Sequence, residues 1–197
     1  MSDSPIIHPI WLRITHWLNA LAVIVLVLSG WRIYNASPIF PFRFPDNLTL
    51  GGWLGGALLW HFAAMWVLVI NGLGYLLLNL FSGRLRRRFL PLRPRELAGD
   101  FIAALRGQLG HADLRRYNAV QKFAYLFVIA DLALIVVSGL VVWKSVQFPH
   151  LRALLGGFDS ARVVHFVAMA ALVAFFIVHV MMVALVPRTL LLMTRGR

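Results

Sequence analysis

ARVVHFVAMAALVAFFIVHVMMVAL, residues 161–185, is apolar for about 25 residues, long enough as a helix to cross a hydrocarbon core about 30 Å thick. It nevertheless carries two histidines, His165 and His179, 14 residues apart. At 3.6 residues per turn that spacing is just under four turns. Both imidazoles therefore share nearly one face of the helix and stand roughly 21 Å apart along its axis. Polar groups at such depth are costly, and they usually face the interior of a bundle for a functional reason. The spacing predicts a helix that ligates two haems stacked across a membrane.

The rest of the composition agrees with a membrane setting. The chain has 197 residues, of which 60% are hydrophobic and 13% charged, and its mean hydropathy is +0.79. That length suits one all-α transmembrane domain, residues 1–197, and not two domains. A formal net charge of +12 would point to nucleic acid in a soluble protein. Here the arginines gather in one loop between apolar spans, which reads as a topology signal and a contact for anionic lipid, with no nucleic-acid partner. The chain has no cysteine, so disulfides, iron–sulfur clusters and covalently attached haem are excluded. Any redox centre is held non-covalently, with histidine as its natural ligand. The N-terminus, MSDSPIIHP, lacks the positive region of a cleavable signal peptide, and the first span is expected to be retained.

Four spans are predicted, at about 12–31, 53–80, 123–143 and 161–186. Between the second and third lies a basic loop, 82–116, holding arginines 84, 86, 87, 88, 93, 95, 106, 115 and 116. Within it, 95–109 has the pattern of a short amphipathic interfacial helix. The loops at 33–50 and 144–160 carry few basic residues. By the positive-inside rule the arginine loop and both termini are cytoplasmic, giving an integral membrane four-helix up-down-up-down bundle in the bacterial inner membrane. No repeat of 20–50 residues is evident.

Four of the seven histidines fall within spans: His16, His61, His165 and His179. The topology puts His16 and His179 toward the cytoplasm and His61 and His165 toward the outside. Two imidazoles at each of two levels is what two six-coordinate b-type haems need, whereas zinc would usually want three or four protein ligands at one point. His8, His111 and His150, in a tail and in loops, read as solvated or interfacial. Gly30 and Gly139 at the outer level and Gly72 at the inner level could make room for a macrocycle. Close helix packing is the other reading of the same glycines.

THW at 15–17, WH at 60–61, RYNAVQKFAYL at 116–126 and the pair VVHF…IVHV around His165 and His179 resemble the bacterial cytochrome b561 / nickel–iron hydrogenase b-type cytochrome family. The resemblance is closest to its formate dehydrogenase gamma subunit-like branch and covers nearly the whole chain. It implies one haem iron between His16 and His179 and a second between His61 and His165, which agrees with the topological pairing. It also implies a cytoplasmic quinone site at Asn118 and Gln121. Amides there can donate to a quinone carbonyl without ionising, and Asn118 also suits a helix N-cap. Arg162, three residues before His165, is placed to meet haem propionates or simply to snorkel to the interface. Asp131, a carboxylate at membrane depth, is expected to be protonated, paired or hydrogen-bonded.

Two haems with both axial positions filled leave no open coordination site, so they would act as wires. The expected function is electron transfer between the quinone pool and a periplasmic or membrane-associated redox protein, such as a molybdenum oxidoreductase or a c-type cytochrome. The chain would then be the membrane-anchor subunit of a respiratory oxidoreductase, and a homo-oligomer is compatible with it. The rival expectation is a quinone-linked enzyme in its own right, a superoxide:quinone oxidoreductase.

Overall fold

The computed structural model describes residues 8–83, 87, 91–106 and 118–196. Among the described residues the long elements are all helical, and four are long and apolar enough to cross a membrane. In chain order the helices are α1 (Ile10–Ala36), α2 (Leu54–Phe81), α3 (Pro94–Leu105), α4 (Ala119–Trp143), α5 (Pro149–Leu154), α6 (Phe158–Leu185) and α7 (Arg188–Arg195). The long helices α1, α2, α4 and α6 alternate in direction. The start of α1, the ends of α2 and α6, the start of α4 and helix α7 therefore lie at one end of the bundle, called here the terminal end, and the loops 37–53 and 144–157 lie at the far end. Helix α1 outruns the apolar stretch 12–31 because no proline occurs between Pro9 and Pro38, and proline has no N–H to continue the ladder. Arginines 84, 86, 88, 115 and 116 and His111 lie outside the described residues. A helix, α3, is present within the stretch 95–109 where an amphipathic interfacial one was expected; residues 107–109 likewise lie outside.

Close backbone approach is concentrated within two hairpins, α1 with α2 and α4 with α6. Small side chains make it feasible. Ser29, Ala57, Ser138 and Ala161 are completely buried, and small residues are what lets membrane helices pack backbone to backbone. The two hairpins share a pattern that the sequence inspection did not reveal. Ala57, His61, Ala64 and Leu68 on α2 have the same spacing as Ala161, His165, Ala168 and Leu172 on α6, and the alanines and leucines of both sets are buried. Each of these helices is entered through a glycine pair in the left-handed region, Gly51–Gly52 (φ 107 and 69) and Gly156–Gly157 (φ 76 and 102), which favours glycine. On the preceding helices Ser29–Gly30 and Ser138–Gly139 are likewise equivalent. This hairpin pattern is thus duplicated within the chain, behind loops of unequal length that hide the repeat.

Between the hairpins the contacts are made by side chains. At the far end an Arg162 Nη donates to the Ser37 carbonyl at 2.6 Å, joining the start of α6 to the C-cap of α1. Tyr34, Phe40, Phe42, Phe44 and Phe166 form an aromatic cluster over the same end. At the terminal end α7 docks on α1. Arg13 donates to the Thr194 carbonyl at 2.7 Å and Trp17 Nε1 to the Met193 carbonyl at 3.2 Å, satisfying carbonyls that a helix C-terminus leaves without partners. The backbone N–H of His8 reaches Gly196 O at 3.3 Å. His8, expected to be solvated or interfacial, is in fact buried, because α7 covers it. Helix α3 is held by Asp100, whose Oδ2 accepts from the backbone N–H of Ala119 at 2.7 Å, at the positive end of α4.

Candidate functional site

The four span histidines form two pairs facing across the space between the hairpins, one at each end. In the far-end pair each imidazole is held by the other helix of its own hairpin. His61 Nδ1 lies 3.1 Å from Ser29 Oγ, and His165 Nδ1 lies 3.1 Å from Ser138 Oγ and 3.0 Å from the Ile135 carbonyl. His61 also makes a backbone hydrogen bond at Leu26, and it lies within electrostatic reach of His165.

These contacts fix the tautomer. Ser29 Oγ donates to Val25 O at 2.6 Å and Ser138 Oγ donates to Leu134 O at 2.7 Å, so each hydroxyl proton is already committed to its own helix. The hydroxyl oxygens, like the carbonyls beside them, are left to accept. In both residues Nδ1 therefore carries the proton, and Nε2 presents its lone pair to the inter-hairpin space. An imidazole that ligates a metal needs this state, and its other nitrogen usually donates to such a partner.

The far-end glycines serve these rings. A Cβ on Gly30 would lie 3.5 Å from His61 Cε1, and one on Gly139 would lie 3.1 Å from His165 Cε1. They make room for the imidazoles, and the expectation that they would face a macrocycle is modified to that extent. Gly72 has nothing within 4 Å of its Cβ position.

In the terminal-end pair, the His16 and His179 rings have centroids 6.0 Å apart and planes inclined at 64°. An imidazole nitrogen sits about 2 Å from a metal it ligates, so two rings on opposite sides of one iron have centroids about 6 Å apart. His179 stacks on Phe175 one turn earlier, at 5.9 Å, and His16 is edge-on to Trp17 at 5.4 Å. Asn71 on α2 donates to the Thr15 carbonyl and to Asn19 Oδ1, both at 2.8 Å, pinning α2 to the turn of α1 that bears His16. Sequence reasoning missed Asn19 and Asn71 as well as Ser29 and Ser138. An amide or hydroxyl inside an apolar span was the available signal.

The duplication breaks at this level. The equivalence of Ser29 with Ser138 carries His16 onto Tyr125, and that of His61 with His165 carries His179 onto Tyr75. The far-end pair thus comes from equivalent helices α2 and α6, the terminal-end pair from non-equivalent α1 and α6.

Among the described residues, no three His, Cys, Asp or Glu side chains converge as a metal-ion site would require. A set of two facing imidazoles, repeated, instead matches what a porphyrin iron takes from a protein. Arg162 engages Ser37 and not one of the histidines. Asn118 and Gln121 form a capping box at the start of α4: Asn118 Oδ1 accepts from Gln121 N at 2.7 Å and Gln121 Oε1 from Asn118 N at 3.1 Å. Both amide oxygens are used, and among the described residues their NH2 groups have no acceptor. Asp131 is buried on α4, two turns before Ser138 and on the same face, and its Oδ2 has no partner among the described residues.

The sequence model of the prokaryotic cytochrome b561 family matches residues 7–196. The chain belongs to that family. This cytochrome b561 is accordingly a multi-pass membrane protein that carries haem b and transfers electrons, and the two facing imidazole pairs are a donor set that fits such haem. Its relatives include the putative protein-methionine-sulfoxide reductase subunit YedZ1 of Azospira oryzae, 66% identical over 190 residues, 96% of each chain. Two probable Ni/Fe-hydrogenase B-type cytochrome subunits match more distantly. That of Bradyrhizobium diazoefficiens is 24% identical over 85% of this cytochrome and 73% of the relative. That of Cupriavidus necator is 27% identical over 85% and 74%.

Proposed function

We propose that the protein is a dihaem cytochrome b of the bacterial inner membrane that passes electrons between the quinone pool and a redox enzyme on the outer side. His16 and His179 hold the inner haem iron at the terminal end, and His61 and His165 hold the outer haem iron at the far end. The observation that carries this reading is the 6.0 Å separation of the His16 and His179 rings, together with the matched Nδ1 contacts that turn Nε2 of His61 and His165 into the inter-hairpin space. When bound, the haems supply reversible one-electron chemistry. The chain's own residues fix the ligands and exclude water from the path between the two levels.

Quinol would be oxidised at the cytoplasmic surface, where the amide NH2 groups of Asn118 and Gln121 can donate to a quinone carbonyl while the capping box holds their oxygens. Arg162 has donors to spare beyond Ser37 for a propionate of the outer haem. The 66% identity to a protein-methionine-sulfoxide reductase subunit supports a partner that reduces methionine sulfoxide. The balance is simple: a quinol releases two electrons and two protons, and a sulfoxide takes up two of each to give thioether and water.

The test is a proteoliposome carrying the protein and a reduced quinone, to which a methionine-sulfoxide reductase catalytic subunit and a sulfoxide peptide are added outside. Quinol should reduce the haem, and the complete mixture should reoxidise it with one thioether formed per quinol. Haem that quinol does not reduce, or that superoxide alone reduces while the catalytic subunit has no effect, would overturn this reading.

A further inference from the structure

The far-end contacts repeat from one hairpin to the other. In each hairpin a completely buried serine bonds back to the carbonyl four residues earlier and presents its oxygen to a histidine Nδ1. The carbonyl three residues before the serine adds a contact to the ring: Ile135 O lies 3.0 Å from His165 Nδ1, and Leu26 makes a backbone hydrogen bond with His61. The glycine after each serine lets the ring approach: with the Cβ position 3.5 Å from His61 and 3.1 Å from His165, a larger side chain would hold the imidazole off. Ser–Gly on one helix and histidine on the next thus form a receptor for an imidazole with its Nδ1 proton in place, and the chain builds it twice. Among the described residues neither His16 nor His179 has a comparable hydrogen bond.

We propose that Ser29 and Ser138 are positioning residues for the outer haem: they fix the plane and the protonation of its two axial imidazoles and lower its reduction potential. The physical reason is that a donated Nδ1–H shifts electron density toward Nε2, making the ligand more basic. A more basic ligand stabilises the oxidised, more positive iron over the reduced one. Because the two receptors are equivalent, the two serines act in parallel and by similar amounts. The outer haem is then the stronger reductant for an acceptor at the far end than it would be with unsupported ligands. The inference rests on the dihaem assignment above.

The experiment is a potentiometric titration of the purified full-length protein with low-temperature EPR, on wild type, Ser29→Ala, Ser138→Ala, the double variant and Ser138→Thr. Wild type should resolve two haem components. Each alanine variant should raise the midpoint potential of the same component, the double variant should raise it further, and the other component should stay fixed. The low-spin EPR signal of that haem should broaden or shift in the same variants. Threonine, which keeps the hydroxyl, should return potential and signal toward wild type. If an alanine variant instead loses occupancy at that haem, threonine should restore it; loss that threonine does not restore counts against the proposal. Two haems with unchanged potentials and signals in both alanine variants would overturn it and leave the dihaem assignment standing. A single haem per wild-type chain would overturn that assignment, and this inference with it.

Discussion

Adding one methyl group at Gly139 should disturb the protein much more than adding one at Gly30. An alanine Cβ at 139 would sit 3.1 Å from His165 Cε1 and 3.5 Å from Nδ1, whereas at 30 the distances to His61 are 3.5 and 3.8 Å. Carbon atoms rest about 3.5–4.0 Å apart, so Gly139→Ala requires a shift of a few tenths of an ångström and Gly30→Ala requires almost none. The His165 ring cannot move freely, because Nδ1 is held at 3.1 Å to Ser138 and 3.0 Å to Ile135. Overpacking of this kind costs about 1–3 kcal/mol, and strained hydrogen bonds of about 1 kcal/mol each lie within that range. Any gain in helix propensity, up to about 1 kcal/mol, applies to both alanines and cancels between them. The dissociation rate of the haem bound by His165 should therefore rise about 5- to 150-fold in Gly139→Ala and less than about 5-fold in Gly30→Ala, measured by transfer to apomyoglobin in detergent. Equal effects, or a larger one at Gly30, would refute the ring-contact reasoning.

Asp131 stands where the other hairpin has Ala22, and its Oδ2 is buried without a partner among the described residues. An unpaired charge there is costly; Asp131→Asn should keep the full haem content and melt at the same or a higher temperature in a detergent thermal scan. Asn71→Ala should destabilise the protein by about 0.6–2 kcal/mol, the range for interhelical hydrogen bonds in membranes, because it removes both 2.8 Å bonds from α2 to α1. The double variant with Asn19→Ala should lose little more than Asn71→Ala alone in chemical denaturation, since the two amides share one bond.

The fold was legible because its signals were long. Four apolar stretches, the arginine loop and the 14-residue spacing of His165 and His179 each persist over many residues, and the physics of a bilayer leaves few alternatives. The grouping of His16 with His179 at one level was legible for the same reason, since direction and depth follow from the alternation of helices. What escaped was local. Ser29 and Ser138 looked like ordinary small residues in apolar spans, and only the packed hairpins show that their oxygens meet Nδ1 of a histidine on the next helix. The duplication escaped because it rests on a few spaced residues, Ala-x3-His-x2-Ala-x3-Leu, behind loops of unequal length. Asn118 carried two readings in the sequence, quinone contact and N-cap, and Gln121 only the first; the capping box they form engages the amide oxygens of both and is compatible with the proposed quinone contact through their NH2 groups. His8 was misread because nothing in MSDSPIIHP shows that the C-terminal helix folds back over it.

That two imidazole pairs hold two haems can be checked by haem content per chain, from the reduced-minus-oxidised spectrum of purified wild type and of His165→Ala. Wild type should bind two b-type haems, and the variant about one, with the inner component's spectrum preserved. One haem in wild type, or an unchanged count in the variant, would contradict it.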